Sequence, residues 1–167
     1  MTETLNITTT RADQSKLAEI DFTNLPFGKV FSDHMFIAEY ENGEWTNLQI
    51  LPYGPILMSP AISALHYGQA IFEGMKAYRQ ADGKISVFRA DKNFERFNKS
   101  AMRMAMPTIP RDVFMQGIEA LINIDEKWVP THDGYSFYLR PVMFVTDPYL
   151  GVRASDKYTF AVLSTPT

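Results

Sequence analysis

Alternating hydrophobic and polar positions predict two β-hairpins in the first half of the chain. The strand-like runs span residues 34–40, 45–51, 74–79 and 84–89. Asn42-Gly43 lies between the first two runs, and Asp82-Gly83 lies between the last two. Both dipeptides readily adopt the positive φ angles of a tight hairpin turn, so each pair of runs is expected to form a hairpin.

Apolar residues then recur at helical spacing in two consecutive segments, 91–105 and 112–127. Asp91 stands where the N-cap of the first helix belongs, and Pro107 and Pro130 follow the ends of the two helices. Two further strands are expected at 135–145 and 158–164, with a Pro- and Gly-containing loop between them. This order lacks βαβ alternation. It predicts the α+β class: a two-layer domain with a largely antiparallel sheet and helices on one face.

The domain is expected to span residues 22–167. Residues 1–21 are polar and rich in threonine, which predicts a flexible N-terminal arm or a short surface helix. The last strand leads into Ser164-Thr165-Pro166-Thr167, and a strand end followed by proline is typical of the start of a linker. We therefore expect the protein to continue into a second domain.

Composition narrows the possible partners. The chain carries 16 basic and 19 acidic residues without long runs of one sign, and its formal net charge is −3. It offers no electrostatic footprint for nucleic acid or an anionic membrane, so a small molecule or another protein is the expected partner. The absence of cysteine and of a secretory signal pattern favours a cytoplasmic protein. The three histidines show no ligand spacing, so no metal site is expected.

Two arginines stand within apolar stretches, where an unpaired charge is costly. Arg140 and Tyr138 share one face of a predicted strand. Arg140 either reaches solvent at the strand end or presents a fork of donors to a carboxylate, which suits arginine better than lysine. Arg96 lies in the first turns of a predicted helix, where a solvated side chain and a phosphate ligand are both compatible with its position.

Aromatic residues form a third feature. Tyr67, Phe72 and Tyr78 stand around Gly68 and Gly74. Such a stripe belongs more often to a core than to a binding pocket, and the residues alone leave both open.

Four segments carry a more specific pattern. They are FGKVFSDHMFIAEY from Phe27, ALHYGQAIFEGMKAYR from Ala64, KISVFRADKNFERFNKSAMRMAMP from Lys84 and SFYLRPVMFVTDPYLGV from Ser136. In order and spacing they resemble the branched-chain amino-acid aminotransferases, which are class-IV aminotransferases of fold type IV that depend on pyridoxal 5'-phosphate. The likeness extends from about residue 22 to the C-terminus and corresponds to the small N-terminal domain of that family.

The resemblance implies an enzyme of amino-acid metabolism that moves the amino group of leucine, isoleucine or valine to 2-oxoglutarate. It implies a homodimer that binds amino acids and 2-oxo acids. Arg96 would hold the phosphate of the cofactor, and Arg140 would receive the distal carboxylate of glutamate or 2-oxoglutarate. The apolar pocket for the branched side chain would be lined by Phe27, Tyr67, Phe72 and Tyr138, and the residues reaching into the partner subunit's site would be Leu150 and Val152.

In this family the lysine that forms the Schiff base with the cofactor belongs to the C-terminal domain. No lysine of this chain lies in a matching context, and Lys76 in the GMKAYR strand is expected to face solvent. The chain alone is therefore expected to be inactive, and it supplies no catalytic residue. Alternatives are a D-amino-acid aminotransferase or aminodeoxychorismate lyase of the same fold, or a non-catalytic binding module. The pair of Tyr138 and Arg140 favours the branched-chain class.

Overall fold

A computed structural model describes residues 4–167 and shows one extended sheet with helices packed on it. The strands are β1 (Thr8–Thr9), β2 (His34–Glu41), β3 (Glu44–Pro52), β4 (Ala70–Phe72), β5 (Met75–Arg79), β6 (Ile85–Val87), β7 (Phe137–Val145) and β8 (Tyr158–Pro166). Within the described residues the sheet orders its strands as β1-β3-β2-β8-β7-β5-β6, and β4 also pairs with β7. All of these pairs are antiparallel except β1 with β3.

Two long helices, α2 (Ala90–Arg103) and α3 (Arg111–Ile124), cover one face of the sheet, and a short helix α1 (Ser63–Tyr67) precedes β4. Phe97 of α2 and Phe114 of α3 are fully buried, and both rings contact the ring of Phe160 in β8. Burial of each such side chain stabilises the fold by about 1.5–3 kcal/mol. Gly117 permits close packing of α3, because a Cβ there would overlap the ring of Phe36 in β2. The predicted α+β class, with a largely antiparallel sheet and helices on one face, is confirmed.

The second face of the sheet is more open. Along β7 the burial alternates residue by residue: Phe137, Leu139 and Met143 point into the helix-covered core, whereas Tyr138 and Arg140 are only partly buried on the other face. This alternation follows from the two-residue period of a strand. The prediction that Tyr138 and Arg140 share one face of a strand is therefore confirmed.

Pro141 interrupts the pairing of β7 with the segment that carries β4 and β5, whereas its pairing with β8 continues. The backbone N–H of Glu73 donates to the carbonyl oxygen of Pro141 at 2.9 Å, but proline has no N–H to return the bond. The ladder between β7 and the preceding segment breaks at Glu73-Gly74, which separates β4 from β5. The break leaves Glu73 and Gly74 outside both strands and next to the candidate site.

Both predicted hairpins are confirmed, β2 with β3 and β5 with β6. The N-cap prediction is wrong. The first helix begins at Ala90 with Arg89 in the N-cap position, and Asp91 lies in the first turn. The carbonyl oxygen of Arg89 accepts from the N–H groups of Lys92 and Asn93, which starts the helix directly after β6.

The second helix also ends earlier than predicted, at Ile124 instead of residue 127. Asp125 leaves the helical path because its buried carboxylate accepts hydrogen bonds from the backbone N–H and the Nδ1 of His34, at 3.0 and 2.6 Å. A 3₁₀ turn, Glu126–Trp128, follows. The pattern also gave no signal for α1 and β4, which are too short to show a period.

The described part of the predicted arm lies against the rest of the chain, and residues 1–3 lie outside the described residues. β1 extends the sheet, and the backbone N–H of Leu5 donates to Gln116 Oε1 at 2.9 Å. Asp33 accepts hydrogen bonds from the Ser15 hydroxyl and the Lys16 N–H, at 2.5 and 2.8 Å. These contacts cross residue 22, and the division into arm and domain stays a prediction. No helix within residues 4–167 has the length and apolarity needed to cross a bilayer.

Candidate active site

An aromatic and cationic cluster lies on the open face of the sheet. Nε and Nη2 of Arg140 both donate to the Tyr138 hydroxyl, at 3.1 and 2.7 Å. The guanidinium carbon lies 4.3 Å from the ring centroid of Phe72, a cation–π contact. Phe27 meets the ring of Tyr138 edge-on, with the centroids 5.4 Å apart. Four of the sequence-predicted substrate residues, Phe27, Phe72, Tyr138 and Arg140, thus come together in one cluster.

The cluster is a surface feature of this chain. Phe27 and Phe72 are 65% and 63% exposed, so they do not belong to the hydrophobic core. The hydroxyl of Tyr138 satisfies part of the guanidinium and leaves Nη1 of Arg140 without a hydrogen bond to the described residues. The arrangement combines apolar ring surface with donors that can bind a carboxylate.

Gly74 sets the position of Tyr138. A Cβ at residue 74 would overlap the Tyr138 hydroxyl, so the tyrosine can lie this close to the backbone only because residue 74 is glycine. The ladder break at Glu73-Gly74 places this glycine beside the ring, and any other residue there would push the hydroxyl away from its present position.

Arg96 lies on α2 and is held by Glu73. Its Nε and Nη2 donate to the two carboxylate oxygens of Glu73, at 2.9 and 2.8 Å. Asn93, one turn earlier on α2, donates to Glu73 Oε2 at 2.9 Å and to the carbonyl oxygen of Gly74 at 3.0 Å. Partial burial raises the pKa of the Glu73 carboxyl, but the hydrogen bonds from Arg96 and Asn93 outweigh it, so that the pKa lies below its ordinary value.

This arrangement fits a phosphate group. The Arg96 side chain is 60% exposed, and Glu73 occupies only one edge of the guanidinium. Nη1 makes no hydrogen bond to the described residues and remains available to an anion. Arg96 and Gly74 line the same cleft, of about 570 Å³. Gly74 is also the residue whose backbone lies against the Tyr138 hydroxyl.

The other predicted site residues form a second group. Tyr67 and Val152 line a separate hollow of about 360 Å³ together with Met104. Leu150 lies on the same loop as Val152, and both side chains are exposed, by 66% and 85%. Tyr67 thus lies with this loop in the single chain and makes no ring contact with the cluster around Arg140.

Sequence reasoning missed Glu73 and Asn93. Glu73 lies inside one of the matched segments, directly after Phe72, and its only signal was a carboxylate in an otherwise apolar run. Asn93 is 6% exposed on α2, and a polar residue on the buried side of an amphipathic helix was the available signal.

Comparisons with known proteins agree with the resemblance drawn from the sequence segments. No protein-family model matches the chain. The branched-chain-amino-acid aminotransferase of Mycolicibacterium smegmatis is 48% identical over 145 residues, which are 86% of this chain and 39% of that protein. Branched-chain-amino-acid transaminase 1 of Bacillus subtilis is 43% identical over 147 residues, 87% of this chain and 41% of that protein. This chain matches the N-terminal part of the branched-chain aminotransferases.

The fold agrees with that of solved branched-chain aminotransferases. The enzyme from Escherichia coli matches with a TM-score of 0.59 and 26% identity, over 81% of this chain and 40% of that chain. A second solved enzyme of this class, complexed with N-(5'-phosphopyridoxyl)-L-glutamate, matches with a TM-score of 0.57 and 25% identity, over 77% of this chain and 40% of that chain. The chain spans between 39% and 41% of the length of these branched-chain aminotransferases. The resemblance drawn from the four sequence segments is confirmed.

Proposed function

We propose that the whole protein is a branched-chain aminotransferase that transfers the amino group of leucine, isoleucine or valine to 2-oxoglutarate. The observation that carries the proposal is the cluster of Tyr138, Arg140, Phe27 and Phe72. Its rings offer an apolar wall to a branched side chain, and its guanidinium offers donors to the distal carboxylate of 2-oxoglutarate.

A pocket that takes both substrates must keep Arg140 satisfied when the branched substrate is bound, because an unpaired buried charge is costly. Two bonds to the Tyr138 hydroxyl and the face of Phe72 supply this support without a carboxylate. The free Nη1 then receives the carboxylate in the other half of the cycle. The pair therefore supports alternate binding of an apolar and an acidic side chain.

Arg96 is the proposed ligand of the cofactor phosphate. Pyridoxal 5'-phosphate supplies an electron sink for cleavage of a bond at the amino acid's α-carbon, and one of the solved relatives binds a phosphopyridoxyl compound. In this chain Glu73 and Asn93 hold the Arg96 guanidinium in one orientation before an anion arrives. Such preorganisation lowers the cost of binding the phosphate.

The proposal includes a homodimer. Tyr67, Leu150 and Val152 lie apart from the Arg140 cluster, which suits residues that complete the pocket of a second subunit. The chain alone would be inactive, because the Schiff-base lysine of the family falls outside the matched segments. A cytoplasmic location also stays a prediction.

Assays of the full-length protein and of the 167-residue chain test the proposal. The full-length protein should use L-leucine with 2-oxoglutarate, and the chain alone should give no transamination above background. Preference for D-alanine, or lyase activity on aminodeoxychorismate, would assign the protein to another class of the same fold. Absence of all three activities would favour a non-catalytic binding module.

A further inference from the structure

The loop between β7 and β8 carries a charge clamp that no substrate role requires. Nη2 of Arg153 donates to Asp147 Oδ2 at 2.6 Å, and Nη1 donates to Asp156 Oδ2 at 2.8 Å. The guanidinium carbon also lies 4.4 Å from the ring centroid of Tyr149. One side chain therefore ties the first residues of the loop to the last.

The same loop is fixed to the neighbouring segment through Gln69. Its Oε1 accepts hydrogen bonds from the Ser155 hydroxyl at 3.3 Å and from the Ser63 hydroxyl at 2.8 Å. The backbone N–H of Ser155 donates to the Tyr158 hydroxyl at 3.1 Å. These bonds join the loop to the segment that carries Tyr67, so both parts of the hollow are anchored together.

The clamp surrounds residues that hydrophobic burial does not hold in place. Leu150 and Val152 are 66% and 85% exposed, and they flank Gly151. A Cβ at Gly151 would lie 2.6 Å from the Tyr149 ring, so this ring packs closely on the glycine. Apolar side chains at a loop tip ordinarily sample many conformations, and here the polar contacts of Arg153 and the packing of Tyr149 on Gly151 restrict the loop.

We propose that Arg153 is a positioning residue that holds Leu150 and Val152 in the orientation in which they enter the substrate pocket of a second subunit. This inference rests on the proposed function, because it assigns the loop to the pocket of a homodimer. Arginine suits the task, since its two terminal nitrogens reach separate carboxylates while its flat face stacks on an aromatic ring. Lysine would offer a single point charge.

The clamp itself is tested on the 167-residue chain by hydrogen exchange. The amides of Tyr149, Ser155 and Asp156 are bonded within the loop, to Asp147 O, Tyr158 Oη and Asp147 Oδ2. Arg153→Gln should speed their exchange about three- to tenfold, because it removes two ion pairs, one of them to the largely buried Asp147. The exchange rates in Arg153→Lys should lie between those of the unmodified chain and those of Arg153→Gln. Arg103→Gln, at the exposed end of α2, is the matched control and should leave these amides unchanged.

Kinetics of the full-length protein test the positioning role. Arg153→Gln should raise KM for leucine about three- to tenfold and leave kcat within about twofold, because the side chain acts through Leu150 and Val152 and not on the reacting atoms. Unchanged exchange of the loop amides would overturn the clamp. Faster exchange with an unchanged leucine KM would overturn the positioning role and leave the proposed function standing. A wild-type protein without transaminase activity would instead overturn the proposed function, and the positioning role with it.

Discussion

The two carboxylate oxygens of Glu73, which lies opposite Pro141 between β4 and β5, pair with Nε and Nη2 of Arg96 on α2, at 2.9 and 2.8 Å. A carboxylate between β4 and β5 thus holds the guanidinium of a residue on α2 at the edge of the cleft. The free edge of that guanidinium is where the proposed cofactor phosphate would bind.

Replacing Arg96 should weaken cofactor binding through the phosphate alone. Arg96→Leu should reduce the affinity of the full-length protein for pyridoxal 5'-phosphate about 10- to 100-fold, the loss expected for charge-assisted hydrogen bonds. Affinity for pyridoxal, which has no phosphate, should change little, and absorbance titration can follow both ligands. Arg103→Leu serves as the control. An equal loss for both ligands would mean that Arg96 supports the fold and does not bind the phosphate.

Gly74 allows a test of the position of Tyr138. A methyl group at residue 74 would overlap the hydroxyl end of the Tyr138 ring, which lies at the surface and can move, so Gly74→Ala should lower the free energy of unfolding by about 1 kcal/mol, the low end for overpacking. The displaced hydroxyl should no longer hold Arg140, and KM for 2-oxoglutarate should rise about five- to tenfold. Gly54→Ala is the control, because a Cβ there meets nothing within 4 Å. Equal kinetics for the two variants would count against this role of Tyr138.

Asp33 should make the stability of the fold sensitive to acid. Partial burial raises the pKa of the Asp33 carboxyl, but hydrogen bonds from Ser15, Lys16 and Trp128 and the nearby His34 outweigh it, so that the pKa lies below 3.8. A carboxyl whose pKa is lowered by folding stabilises the protein above its ordinary pKa. This contribution is lost as pH falls from near 3.8 through the lower folded pKa.

Asp33→Asn should cost about 1–3 kcal/mol at pH 7, because hydrogen bonds to a charged acceptor are weakened. The difference from the unmodified chain should shrink as the pH falls below 3.8, where the carboxylate itself becomes protonated. Urea unfolding at pH 7, 5 and 3 measures this difference in the free energy of unfolding. A difference that stayed constant down to pH 3 would exclude the carboxylate charge as its cause. Asp13→Asn, at an exposed position in the N-terminal segment, is the control.

Local pattern was sufficient for the hairpins and the two long helices, because Asn42-Gly43, Asp82-Gly83 and the spacing of apolar residues act within a few residues of chain. Local pattern failed where a contact with a residue far away in the sequence determines the structure. The end of α3 depends on the bond between Asp125 and His34, which lie 91 residues apart. No local signal records such a contact.

The same distinction applies to the candidate site, where some features follow from local sequence pattern and others do not. The shared face of Tyr138 and Arg140 follows from strand period alone. The carboxylate that holds Arg96 comes from Glu73, which is 23 residues away in the sequence. The separation of Tyr67 from the Arg140 cluster depends on the path of the chain through the fold. Both therefore required the structure.

The central proposal is that one pocket binds an apolar and an acidic side chain by means of Arg140. Its most direct test is the ratio of KM values for leucine and 2-oxoglutarate in the full-length protein before and after Arg140→Leu. The account predicts that KM for 2-oxoglutarate rises about 30-fold, from the loss of about 2 kcal/mol of charge pairing, while KM for leucine changes less than about threefold. Equal losses for the two substrates would contradict it.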